Sequence, residues 1–307
     1  MPSSRSLTGE SGRESDCMNS SFELGMCGNY YELVHEGEKL LTLAGCPEPA
    51  ADARLLLFFV MDWNLTDYAS QGRQPCPDEK KEEYSRLIAR RVTREPLQYI
   101  TGTAPFFGYD FRVTPDVLIP RFDTETLVES VLPYIKNGDR LLDMCTGSGC
   151  IAVTLFLEAA NEGKSISVTA SDISGAALGI AGENAAALGA QITVVRSDLF
   201  ERIEGTYDII TVNPPYIETE VIMTLDPEVR LFEPRLALDG SDDGLIFYRR
   251  IVREAGEHLV SGGLLALEIG SAQSEAVEEL MRAESYVNVR TVRDLGGNAR
   301  CVLGFAA

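Results

Sequence analysis

Apolar residues recur every three or four positions in the first third of the chain, a spacing that predicts amphipathic helices. The apolar stripes cover residues 30–43, 50–63 and 78–92. The breaks between them carry proline, glycine or aspartate, at residues 45–47, 65–67 and 71–77. We therefore predict a small helical domain over residues 28–95, preceded by a disordered tail over residues 1–27, which are rich in serine, glycine and charge.

The pattern changes at Pro96. Residues 96–120 combine aromatic and β-branched residues with glycine, which predicts a β-hairpin linker. In residues 121–307, short apolar runs alternate with helical patterns. The predicted strands cover residues 140–144, 167–171, 192–195, 207–212, 263–269, 286–292 and 301–305, and the predicted helices residues 126–134, 150–160, 176–188, 245–260 and 274–282. This alternation is typical of an α/β fold with a doubly wound, mostly parallel, seven-stranded Rossmann-like sheet. Asp123 or Thr124 is the predicted N-cap of its first helix.

Composition narrows the range of functions. The net charge of −20 argues against broad nucleic-acid binding, which depends on neutralisation of phosphates by lysine and arginine. The negative charge would favour binding to a basic protein partner, or it could serve solubility alone. The seven cysteines form no Cys-x-x-Cys pair and there are only two histidines, so we expect free thiols and no metal site. With no signal peptide and no membrane-spanning run, we expect a cytoplasmic monomer that binds neither membrane nor nucleic acid.

A glycine-rich turn joins the first predicted strand of the sheet to the helix that follows. The order Asp-x-x-x-Gly-x-Gly differs from the dinucleotide fingerprint and suits the carboxypropyl group of S-adenosylmethionine, held at a helix N-terminus. The glycines alone are a weak signal. The candidate cofactor-binding residues here are Cys145, Thr146, Gly147, Ser148 and Gly149.

Two acidic residues follow the next two strands. Asp172 comes after Gly149 at roughly the 20-residue spacing expected of a ribose-binding carboxylate, although it could simply cap the next helix. Asp198 is placed to reach the adenine amine, with Leu199 or Phe200 against the ring, although it could be a plain turn aspartate. We favour the cofactor role for both.

The run Asn213-Pro214-Pro215-Tyr216 follows an apolar strand. Two prolines stiffen the backbone and fix the pose of the asparagine side chain and of nearby carbonyl oxygens. Those oxygens can accept hydrogen bonds from a planar NH2 group while Tyr216 stacks on it. The alternative is a rigid turn that merely closes the strand.

These motifs together resemble the HemK/PrmC family of release factor glutamine methyltransferases, across most of residues 30–307. The segments that carry the resemblance are Glu95–Gly102, Phe106–Gly108, Val117–Glu125, Leu142–Gly149, Ser197–Phe200, Asn213–Tyr216 and Glu233–Leu238. The chain departs from the family pattern at Phe122, Cys145 and Cys150, where proline, glycine and a small apolar residue are usual.

The resemblance implies methyl transfer from S-adenosylmethionine, with S-adenosylhomocysteine as product, to the glutamine of the Gly-Gly-Gln loop of release factors. It also implies that the helical domain helps to bind the release factor. Asn213, Pro214 and Tyr216 are the predicted catalytic residues, with Pro215 and Phe107 (or Phe106) also contacting substrate. Asn213 is expected to contact the cofactor as well.

Two rival functions remain open from the sequence. A nucleic-acid amino-methyltransferase would use the same acceptors on a base amine, but the negative charge and the lack of a basic tract count against it. A non-catalytic module could keep the cofactor fold as a scaffold, although the intact Asn213 and glycine turn count against that.

Overall fold

A computed structural model describes Leu24 and residues 26–307, so most of the predicted disordered tail lies outside the described residues. The chain divides into two units, Met1–Thr101 and Gly102–Ala307. Among the described residues of the first unit, the helices are α1 (Tyr30–Leu43), α2 (Pro49–Met61), α3 (Leu65–Gln71), α4 (Asp78–Val92) and α5 (Leu97–Thr101). Their apolar faces meet in one core around Leu33, Leu56 and Tyr84.

Two parts of this unit differ from the prediction. Residues 65–67, predicted as a break, begin helix α3 because Asn64 forms a capping box: its side chain accepts from the backbone of Thr66 and Asp67, and Asp67 accepts in return from the Asn64 backbone. Residues 97–101, predicted as the start of the hairpin linker, form helix α5, and the division into units falls after it. The finer domain boundaries at residues 95 and 120 stay predictions.

The second unit opens with a two-stranded antiparallel hairpin and continues as a seven-stranded sheet in the order β5-β4-β3-β6-β7-β9-β8. Its strands are β1 (Thr103–Phe106), β2 (Tyr109–Arg112), β3 (Arg140–Met144), β4 (Ser167–Asp172), β5 (Ile192–Arg196), β6 (Tyr207–Val212), β7 (Leu259–Glu268), β8 (Val287–Arg293) and β9 (Ala299–Phe305). Its helices are α6 (Phe122–Val131), α7 (Cys150–Asn161), α8 (Gly175–Leu188), α9 (Pro227–Phe232), α10 (Ile246–His258) and α11 (Ser274–Ala283). The predicted doubly wound α/β sheet is confirmed, with β9 as the antiparallel strand between β7 and β8.

The two faces of the sheet bury separate cores, because adjacent strand residues point to opposite sides. Leu141 packs with α6, α7 and α8, while its neighbour Leu142 packs with α10 and α11. The predicted N-cap of α6 is wrong: Arg121 is the cap residue, and Asp123 and Thr124 lie inside the first turn. Within the described part of the chain, no helix is both long and apolar enough to cross a membrane.

Candidate active site

A cavity of about 490 Å³ lies in the second unit at the carboxyl end of the parallel strands, the edge where open α/β sheets bind ligands. The glycine turn, the ends of β4 and β6 and the segment after β5 all contribute to its lining. Most predicted cofactor residues line it: Cys145, Thr146, Gly147, Ser148, Asp172, Asp198, Leu199 and Asn213. The topology therefore brings together residues that lie far apart in the sequence.

The glycine turn is held by two hydrogen bonds from Thr146. The Thr146 backbone N–H donates to the Ser171 carbonyl at 3.0 Å, and its hydroxyl donates to the buried Asp143 carboxylate at 2.5 Å. Gly149 does not line the cavity. It takes a φ of 80° as the N-cap of α7, and a Cβ there would lie 3.0 Å from that of Ala181. Its role is therefore close packing of α7 against α8, which sets the position of the turn.

Cys145 begins the turn with a φ of 57°, in the left-handed region that disfavours residues with a Cβ. This conformation favours glycine, the residue that the family resemblance led us to expect at this position. Burial raises the pKa of the Cys145 thiol well above its ordinary value, so the group is a neutral wall of the cavity.

The two predicted acidic residues have different partners. Asp172 accepts from the backbone N–H of Gly147 at 3.0 Å and of Ser174 at 2.9 Å. Burial raises the pKa of Asp172, and these hydrogen bonds partly offset the shift. Asp198 instead pairs with Arg250 of α10, whose Nη1 lies 3.1 Å from Oδ1.

Arg250 also lines the cavity and was missed by the sequence analysis, because nothing in the sequence pairs α10 with the end of β5. Of the two residues proposed to pack near the ring, only Leu199 lines the cavity. Phe200 is buried and stacks on His258, with ring centroids 4.7 Å apart.

The Asn213–Tyr216 turn sits at the end of β6, with Asn213 and Pro215 lining the cavity. Pro214 is buried and Tyr216 half-buried, and neither belongs to the cavity lining. Gln273 braces the turn: its Nε2 donates to the Tyr216 carbonyl at 3.0 Å. Gly244 comes so close that a Cβ there would lie 2.3 Å from the Tyr216 carbonyl oxygen. Neither brace could be found from the sequence, because both come from distant loops.

Phe106 and Phe107 lie outside the cavity lining. The Phe106 ring is buried in the core against Phe111. The backbone N–H of Phe107 donates to the Glu125 carboxylate at 2.7 Å. The predicted contact of either ring with substrate stays a prediction.

The sequence analysis missed three polar residues of the site. Two of them lie beside Asn213, and the third contacts the glycine turn at residues 145–149. Thr124 lies 3.5 Å from the Asn213 amide nitrogen, which donates to its hydroxyl. Glu268 ends the neighbouring strand β7, and its pKa is raised to about 7 by burial, an effect that contacts with Thr124 and Asn213 oppose. Asn184 of α8 donates to the Ser148 carbonyl at 2.8 Å and binds both backbone groups of Arg112. A lone asparagine on the alanine-rich buried face of α8 was the one available signal.

The donor set of the cavity fits S-adenosylmethionine. Ser148 Oγ and Ser171 Oγ are buried in the lining without a hydrogen-bond partner among the described residues, so they are available to a polar ligand. The backbone at the start of α7 can face a carboxylate, and Asp172 and Asp198 can face ribose and adenine. Fold and site together define a Rossmann-like S-adenosylmethionine-dependent methyltransferase.

Comparison with known proteins agrees with this class. Residues 32–102 match the PrmC N-terminal domain, and residues 121–228 match the methyltransferase small domain. Release factor glutamine methyltransferases of Agrobacterium fabrum and Cereibacter sphaeroides are 40% and 43% identical to the chain; each alignment spans 85% of it, and 92% and 93% of the relative. The hMettl16 catalytic domain shares the fold, with a TM-score of 0.52 at 17% identity over 72% of this chain and 81% of that one. The chain belongs to the release factor glutamine methyltransferase family.

Proposed function

We propose that this enzyme methylates the side-chain amide nitrogen of the glutamine in the Gly-Gly-Gln loop of peptide-chain release factors, and so modulates translation termination. Membership of the family supports the substrate. The observation that carries the chemistry is the Asn213 side chain, which lines the cavity at the end of β6 with its amide nitrogen turned toward Thr124.

The chemical difficulty is that an amide nitrogen is a poor nucleophile, because its lone pair is delocalised into the carbonyl. In the proposed complex the substrate NH2 group donates one hydrogen bond to Asn213 Oδ1 and one to the Pro214 carbonyl. No hydrogen bond within the described part of the chain ends on either oxygen, so both are available as acceptors. Two aligned acceptors direct the lone pair toward the methyl donor and stabilise the positive charge that grows on nitrogen.

S-Adenosylmethionine supplies an electrophilic methyl group on its sulfonium. The turn at residues 145–149 would hold its carboxypropyl group, Asp172 its ribose, and Asp198 with Leu199 its adenine. The stiff turn after Asn213 keeps the acceptors in place during transfer, since two prolines and the Gln273 brace limit its motion. We further propose that the enzyme acts as a cytoplasmic monomer and that Tyr216 packs beside the substrate amide.

The decisive test is transfer of labelled methyl from S-adenosylmethionine to a purified release factor, beside the release factor with Gln→Ala in its Gly-Gly-Gln loop. We expect label on the unaltered release factor alone. Label on both would place the methyl group on another residue. Label on neither, with cofactor binding intact, would redirect the search to nucleic acids and other proteins.

The role of Asn213 is tested by Asn213→Ala. We expect a dissociation constant for S-adenosylmethionine close to that of the wild type and loss of transfer, because the variant keeps the cofactor cradle and loses one amide acceptor. Normal turnover of this variant would show that the proposed acceptor pair is wrong.

A further inference from the structure

Glu268 is a buried carboxyl at the carboxyl end of β7, with only 3% of its surface exposed. Strands β6 and β7 are parallel and pair Val212 with Leu267, so the next residues, Asn213 and Glu268, lie beside each other at the edge of the sheet. Glu268 does not line the cavity, whereas Asn213 does. The carboxyl is therefore buried beside the asparagine and outside the cavity lining.

Glu268 has few polar neighbours, and Asn213 is one of them. Thr124, itself 2% exposed, and Asn213 both contact the carboxyl, but Oε2 has no hydrogen-bond partner among the described residues. The nearest cation, Arg300, is already paired with Asp123 and Asp294, at 2.8 Å in each case. Arg300 therefore does not pair with the Glu268 carboxylate alone, and neutral hydrogen-bond donors must stabilise that carboxylate.

Other titratable groups around Glu268 do not replace those donors. Asp123 on α6 raises the pKa of the carboxyl, and Arg300 on β9 lowers it. Tyr216, Tyr248, Cys301 and Cys150 are the remaining titratable neighbours, and burial raises the pKa of each, so all four are neutral near pH 7. Glu268 is accordingly the group in contact with Asn213 whose charge can change near neutral pH. Asp143, whose pKa burial also raises to about 7, is instead bonded to the hydroxyls of Thr146 and Thr211 and acts on the glycine turn.

We infer that Glu268 is a positioning residue that fixes which way the Asn213 amide points, by accepting a hydrogen bond from its nitrogen and leaving its oxygen toward the substrate. The inference rests on the proposed function, in which that oxygen accepts from the substrate NH2 group. The two ends of an asparagine amide are similar in shape but opposite in hydrogen bonding. A flipped amide would set N–H donors against the N–H donors of the substrate and remove one acceptor.

Protonation of Glu268 would favour the flipped amide. A carboxylate can only accept, whereas a protonated carboxyl can donate to the Asn213 oxygen and draw it away from the substrate. Burial raises the pKa of Glu268 to about 7. The productive orientation is therefore favoured above that pH and lost below it, so kcat should fall as the pH drops from 8 to 6.

Two variants test the inference. Glu268→Leu removes the acceptor, and we expect kcat to fall by about 10- to 100-fold while KM for the release factor and the dissociation constant for S-adenosylmethionine stay within about twofold. Glu268→Gln keeps an amide oxygen that can accept from Asn213 at every pH. We expect it to retain most of the activity and to lose the fall in kcat on the acidic side.

A second readout does not depend on turnover. The side-chain NH2 resonance of Asn213, assigned by its loss in Asn213→Ala, should titrate with a midpoint near that of Glu268 in the wild type. It should not titrate in Glu268→Gln. This spectrum decides the inference even if Glu268→Leu fails to fold.

The outcomes separate the two proposals. Failure of the wild type to methylate the release factor would overturn the proposed function, and the Asn213 titration would still report on Glu268. If the wild type is active, an unchanged kcat in Glu268→Leu, an acidic limb retained in Glu268→Gln, or an Asn213 resonance that ignores pH would each overturn the positioning role.

Discussion

Replacement of Asn184 by alanine should remove a large part of the stability of the second unit. The side chain is 2% exposed and makes three short hydrogen bonds: it accepts from the Arg112 N–H at 2.7 Å and donates to the carbonyls of Arg112 at 3.0 Å and Ser148 at 2.8 Å. Alanine leaves three backbone groups without partners. The bond to Ser148 is buried, whereas the two to Arg112 are part-buried, so water can partly replace them. At about 1–3 kcal/mol for a fully buried unsatisfied group, we expect a loss of about 2–4 kcal/mol.

The assay is urea unfolding, with the m-value compared to confirm that the unfolding transition is the same. Asn161→Ala is the matched control, because Asn161 also makes two side-chain hydrogen bonds but is exposed, so a change within about 0.5 kcal/mol is expected. Asn184→Asp should be at least as destabilising as alanine, since a carboxylate cannot donate to either carbonyl. A loss below about 1 kcal/mol in Asn184→Ala would refute the argument that these bonds fix β2 and the glycine turn to α8.

Three further outcomes are expected. Gly149→Ala should destabilise by about 2–4 kcal/mol and weaken S-adenosylmethionine binding in calorimetry, because φ is 80° and Ala181 occupies the space for a Cβ. The buried Glu268 and Asp143 should each make the unfolding free energy fall as pH rises from about 4.5 to 7, where the carboxyl is ionised in the unfolded chain and neutral in the folded one. Glu268→Gln should lose the Glu268 share of this fall, gaining up to about 3 kcal/mol relative to wild type between pH 5 and 8 in urea titrations. Arg121→Met and Glu233→Gln should each cost about 1–3 kcal/mol and together less than their sum, since Arg121 contacts both oxygens of the buried Glu233 carboxylate; a fully additive double variant would contradict this.

The architecture of the sheet was accessible from the sequence because its strands are continuous apolar runs separated by amphipathic helices. Errors arose where local side-chain chemistry overrides that pattern. The capping box of Asn64 starts a helix that contains no buried residue, so periodicity had nothing to detect. Strand β7 begins at Leu259 rather than residue 263, because Leu259 pairs with Tyr207 of β6 and so extends the ladder. Segment 217–244 received no predicted element, since its helices are single short turns.

The site was predictable only for residues that belong to a local motif. The glycine turn, Asp172, Asp198 and Asn213 all follow strands directly, and the fold rule that places strand ends at one edge brings them to the cavity. Glu268 also ends a strand, but the sequence gives no sign that a carboxyl there is buried beside an asparagine. Arg250 and Gln273 come from later parts of the chain, and their contacts with Asp198 and with the Tyr216 carbonyl, respectively, depend on tertiary packing.

The contacts that hold the Asn213–Tyr216 turn also bear on the order in which the site is completed during synthesis on the ribosome. A growing chain acquires the cofactor cradle of residues 145–149, 172 and 198 before the residues that hold Tyr216 have been joined to it. Gly244 and Gln273, which contact the Tyr216 carbonyl, are added later. Because a domain generally folds as a unit, and the cradle and the turn both belong to residues 102–307, the turn can gain its braces only after residue 273 has been added. Competence to transfer the methyl group is thus among the last properties the nascent chain gains.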